Sequence, residues 1–65
     1  MKDVDELFLE FLEIINNRSN WYKWHLMEIF NVDYTTAEKI LIKAVNYDFL
    51  KNEDYYHRFK VKRIK

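Results

Sequence analysis

Sixty-five residues with no cysteine, glycine or proline and a formal net charge of zero make one domain, of the size at which a single core barely holds a fold. Without cysteine there is no disulfide or thiolate metal site to staple it, and five Phe, five Tyr and two Trp supply buried area instead. No apolar run is long enough for a signal peptide or a membrane span, so a cytoplasmic protein without membrane contact is expected.

The zero balance hides a segregation. Residues 1–17 carry one lysine against five acids, whereas residues 18–65 carry ten Lys and Arg against six acids. Residues 58–65 hold Arg58, Lys60, Lys62, Arg63 and Lys65 with no acid among them. A protein that turns one side toward a polyanion has this kind of distribution, as does an ordinary soluble surface with a basic tail.

In chain order, the spacing predicts a first helix over Val4–Asn16. Asp3 is its cap, and Glu6 three residues on completes a capping box. Val4, Leu7, Phe8, Phe11, Leu12 and Ile15 follow the i, i+3, i+4 rule, with Glu6, Glu10 and Glu13 opposite. Leu9 lies among those acids, as a lone exposed leucine or a partner contact. Asn16, Asn17, Arg18, Ser19 and Asn20 form a break. In a chain without glycine, asparagine is expected to mark the boundaries, because it tolerates positive φ.

A second helix is expected over Trp21–Phe30, capped by Ser19 or Asn20. Tyr22, Leu26, Ile29 and Phe30 form a core stripe, and Trp21, Trp24 and Met27 form another on a different flank. Asn31 suits the left-handed stop and Asp33 the next cap, giving a third helix over Tyr34–Asn46. Ala37, Ile40, Leu41, Ala44 and Val45 face inward. Thr35, Thr36, Lys39, Ile42, Lys43 and Asn46 face outward, a mixture of hydroxyl, ammonium and amide groups suited to phosphates and base edges, or simply to water. Residues 47–51 read as a short strand and Asn52-Glu53-Asp54 as a turn. A last strand then alternates Tyr55, His57, Phe59 and Val61 with Tyr56, Arg58, Lys60 and Lys62.

The run Val32-Asp33-Tyr34-Thr35-Thr36-Ala37-Glu38-Lys39-Ile40 resembles the recognition-helix entry of small helix-turn-helix regulators. With the hairpin added, nearly the whole chain resembles the winged helix-turn-helix family. Met27 stands where that family usually has alanine, and Asp48 where it usually has glycine. The resemblance implies a mainly α (α+β) fold of three helices and a short C-terminal β-hairpin. It also implies sequence-specific binding of double-stranded DNA by a transcriptional or replication regulator. Thr35, Thr36, Lys39, Lys43 and Asn46 would enter the major groove, and Arg58, Lys60 and Lys62 would hold phosphates. A module this small has little area for specific binding, so a homodimer is expected, through Leu9, Trp21, Trp24 and Met27. The Asn, Lys, Ile and Tyr content resembles proteins of AT-rich bacteria, their phages or plasmids.

No enzyme, cofactor or metal site is expected. Ser19 is the only serine, His25 and His57 lack metal-ligand spacing, and a glycine-rich phosphate loop is impossible. Both histidines are expected to be packed or at an edge. The rival expectation is a protein-interaction module of winged-helix shape, such as a phage- or plasmid-encoded modulator of a host protein. The acidic first helix and the Trp21/Trp24/Met27 stripe favour it.

Overall fold

The computed structural model describes residues 2–53 and 57–62. Asp54, Tyr55 and Tyr56 of the expected turn and strand, and Arg63 and Lys65 of the basic run, lie outside the described residues. Helix α1, Val4–Ile14, starts at the expected box: the Glu6 amide donates to Asp3 Oδ1 at 2.9 Å, and the Asp3 amide reaches Glu6 Oε1 at 3.4 Å. It ends earlier than its apolar spacing suggests, tightening into a 3-10 turn over Ile15–Asn17. A Trp21 side chain closes that end. Its indole Nε1–H donates to the Ile15 carbonyl at 2.8 Å, satisfying an acceptor that the helix terminus leaves open.

That bond goes with a correction. Trp21 is not the first residue of a helix but half of a two-residue strand, β1, Asn20–Trp21. Helix α2 is Lys23–Phe30, after an extended Tyr22. Trp21 is 1% exposed, edge-on to Phe11 at 4.9 Å between ring centroids, so it is a core residue and cannot contribute to a dimer surface. Ile29 is corrected in the other direction. Expected in the core, it is 50% exposed, because it lies on the flank of α2 that lines an open cleft, while Phe30 of the same turn packs against the core. Leu26 carries the burial of α2, with Phe30 and Met27 partly buried beside it.

Helix α3, Tyr34–Asn46, has the expected bounds, and both ends are chemically defined. Asp33 accepts from the Thr36 amide at 2.8 Å. At the other end the Phe49 amide donates to the Ala44 carbonyl and the Asp48 amide to that of Val45, a Schellman closure with Asp48 at φ 67°. Asn31 ends α2 at φ 54°. In a chain without glycine, Asn and Asp take the two left-handed positions found among the described residues. The other asparagines are not all boundaries, since Asn20 opens β1 but Asn52 lies within β2.

Strands β2, Leu50–Glu53, and β3, Arg58–Val61, form the hairpin. Asn52 and Glu53, expected in a turn, pair instead with Phe59 and Arg58. The hairpin is also not alone. β1 adds to β3, giving a three-stranded antiparallel sheet in the order β1-β3-β2. Trp21, Leu50, Phe59 and Val61 turn its inner face onto Phe11, Leu26, Ala37, Ile40, Leu41 and Ala44 of the helices. The result is a small winged-helix-like α+β fold, with α3 packed between α1 and α2.

Candidate nucleic-acid interface

The inward residues of α3 fix what it shows to solvent. Ala37, Ile40, Leu41 and Ala44 are fully buried. At 3.6 residues per turn, the opposite meridian is Thr35, Lys39, Ile42 and Asn46, and all four are exposed. This strip runs roughly 16 Å along the axis at about 1.5 Å per residue. It holds a hydroxyl, an ammonium, a branched apolar side chain and an amide. Ile42, 42% exposed, is the apolar member.

Two residues expected in the same strip lean away from it. Thr36 is half-buried beside Leu7 and Glu10 in the cleft of about 570 Å³ between α1 and the α2–α3 turn. Lys43 tilts onto α1, where its ammonium pairs with Asp5 and lies 5.4 Å from the Phe8 ring and 6.0 Å from that of Tyr47. The hydrogen bond to Asp5 raises the Lys43 pKa above the ordinary lysine value, with desolvation opposing it. The other flank, toward α2, is likewise tied. Lys23 donates to the Tyr34 hydroxyl at 2.8 Å and pairs with Glu38 at 3.2 Å, and the first of these raises its pKa most. Asp33 at the entry is held below its ordinary value by its bonds to Thr36.

On the hairpin, Arg58 pairs with Glu53 at 3.4 Å and Lys62 with Asp48 at 3.2 Å. Lys60 is exposed, with Lys51 and Asn20 as its cross-strand neighbours. Sequence reasoning missed Lys51. The signal was its alternation with Leu50, which fixes it on the outer face once Leu50 is placed inside. Of the residues expected at a dimer surface, Leu9 and Trp24 are 62% and 55% exposed, while Met27 is half-buried against the core. Trp24 and Met27 line a shallow groove of about 190 Å³ with Tyr22, Lys23, Tyr34 and His57.

His25 is 7% exposed, and Trp24 lies over it at 3.9 Å. The Tyr22 amide donates to its Nδ1 at 3.0 Å, and Arg18 Nη1 lies 2.9 Å from Nε2. A neutral imidazole accepts at one nitrogen, so it satisfies one of these donors at a time, and a protonated ring satisfies neither. Burial, and then the Arg18 charge, push its pKa below the ordinary value. Among the described residues no group of three or more His, Cys, Asp or Glu is placed to hold a metal ion. No described helix is long and apolar enough to cross a membrane. Comparison of the chain with protein-family models, with curated proteins and with solved structures gave no match in any of the three.

Proposed function

We propose that the protein binds double-stranded DNA in a sequence-specific way, as a small transcriptional or replication regulator, with α3 as the helix that enters the major groove. The observation that carries this reading is the uncovered Thr35–Lys39–Ile42–Asn46 strip on the last helix of a winged-helix-like fold. Its chemistry fits a groove floor. An amide can bond adenine bidentately, an ammonium suits guanine acceptors, and an apolar side chain suits the thymine methyl. Thr36 and Lys43 have a lesser part, because Thr36 is half-buried and bonded to Asp33, and Lys43 is paired with Asp5 of α1. Arg58 and Lys62 could hold phosphates only by exchanging an acid for an anion.

The test is fluorescence anisotropy with a generic duplex and Lys39→Ala. Lys39 is exposed and outside the core, so the variant should melt like the parent. Its affinity should fall, and if the ammonium touches only phosphate, the slope of log K against log [salt] should shrink by about one. Unchanged affinity would remove α3 as the reading helix.

A second reading, a protein-interaction module that uses the same fold, is favoured by one specific observation. Lys2, Lys23, Lys43, Arg58 and Lys62 each pair with an acid, so the cations are interleaved with anions rather than massed. Under this reading Trp24 is the anchor, and its replacement by Ala abolishes partner binding while duplex binding is absent from the start.

A further inference from the structure

Along β3 the outward side chains are Arg58 and Lys60, with Lys62 just beyond the strand, three cations at a spacing of two. Two of them meet acids. Arg58 lies opposite Glu53 in the β2–β3 register and pairs with it, and Lys62 pairs with Asp48, just before β2. The middle cation meets a lysine. Lys60 is directly opposite Lys51 across β2–β3, and opposite Asn20 across β1–β3. Among the described residues no acid pairs with either lysine. Like charges directly opposite one another weaken a sheet, and an acid at position 51 would have completed a ladder of three ion pairs. Protection against edge-to-edge pairing explains a lysine on an outer strand. That covers Lys51 alone, because Lys60 lies on the central strand.

We propose that Lys51 and Lys60 together hold one phosphodiester group of the DNA backbone, with the Asn20 amide beside them. Neighbouring strands are about 4.8 Å apart, so two ammonium groups on flexible stems can converge on a single anion. The anion then relieves the repulsion that the free protein carries. This inference rests on the duplex-binding reading of α3; to the phosphate contact expected of Lys60 it adds Lys51 as a second lysine on the same phosphate.

Lys51→Glu, Lys51→Gln and the double variant Lys51→Gln/Lys60→Gln test it, by melting and by anisotropy with a fluorescent generic duplex between roughly 50 and 200 mM salt. Lys51→Glu completes the ladder, so it should melt above the parent yet bind duplex more weakly than Lys51→Gln does. Because both lysines serve one phosphate, the double variant should reduce the salt slope by about one, roughly tenfold in affinity near 0.1 M salt, and the single Gln variant by less. A double variant with the parent's affinity and slope, while Lys39→Ala still weakens binding, would overturn the sheet contact and leave α3 standing. A lower melting temperature for Lys51→Glu would also overturn it, since the repulsion it starts from would be absent. A parent that binds no duplex at 50 mM salt would remove both.

Discussion

His25 shows how much a single side chain settles in a chain of this size. It stands at the corner where β1 turns into α2, with Trp21 and Trp24 on its ring and the Tyr22 amide on Nδ1. The charged groups that bear on it are Arg18, which opposes protonation, and Glu28, which favours it, and burial outweighs both. The sign of the pH effect follows. An unfolded histidine titrates near 6.5, and the folded ring titrates below its own ordinary value. Between those two pKa values the unfolded chain binds more protons. Stability from this group is therefore fully present above about pH 6.5, and it is lost as pH falls toward the folded pKa. Melting temperatures should decline from pH 7 toward pH 5.5, before most carboxylates titrate. His25→Asn should flatten that decline, whatever it does to the absolute value. A parent that melts at one temperature across this range would contradict the assignment.

Asn31 and Asp48 belong to the same scale. Each supplies a left-handed residue that glycine would supply elsewhere, and the cost for an L-residue, about 1–2 kcal/mol, is smallest for Asn and Asp. The asparagine at position 31 was legible as a stop because an aspartate cap follows it two residues later. The aspartate at position 48 was legible only by resemblance, since nothing in its own neighbours distinguishes it from a surface acid.

Among the elements, α3 could be read from its sequence residue for residue, and the reason is local. A cap at Asp33, an uninterrupted inner face of Ala37, Ile40, Leu41 and Ala44, and the boundary asparagine Asn46 all lie within fourteen positions of one another. The start of α1 was legible on the same grounds. Strand β1 was not, because two residues have no period, and Trp21 with Trp24 imitates a helical i, i+3 pair. Its strand character comes from Phe59 and Lys60, nearly forty residues away. Asn52 and Glu53 were misread for the same reason: their turn-forming composition is local, while their partners on β3 are not. The strip on α3 was half legible. Period alone placed Thr35, Lys39, Ile42 and Asn46 outward, but it could not show that Lys43 lies over Phe8 and pairs with Asp5. The inner face has a direct consequence. Ile40 and Phe11 are both fully buried, so truncating either to Ala should cost about 2–5 kcal/mol. The whole domain holds on the order of 3–10 kcal/mol at roughly 0.05–0.15 per residue. Denaturant melts should show either variant largely unfolded, and a parent-like midpoint for Ile40→Ala would mean that α3 faces the other way.

For the whole molecule, the charge segregation seen along the chain is partly cancelled in space. Acidic α1 lies beside α3, and Asp5 takes up Lys43. Lys39 on the helix and Lys51 and Lys60 on the sheet are left without a described acid partner, as is Arg18, which is bonded to His25 instead. Under the duplex-binding proposal so few cations give weak binding by one copy, and we propose a homodimer that doubles the contacts on DNA. Its apolar candidates are Leu9, Trp24 and the exposed edge of Met27, now without Trp21. Sedimentation at micromolar concentration should give about twice the 8.2 kDa chain mass, and Trp24→Ala should return it to one. A parent that sediments as a monomer at high concentration would rule out the dimer.

The central claim, that this fold is used to read duplex DNA, has one direct measurement. Anisotropy of a labelled generic duplex should rise on titration with the parent protein, and the affinity should fall steeply as salt is raised, with a log–log slope of at least two. A correctly folded parent that gives no salt-dependent rise with any duplex would contradict the account.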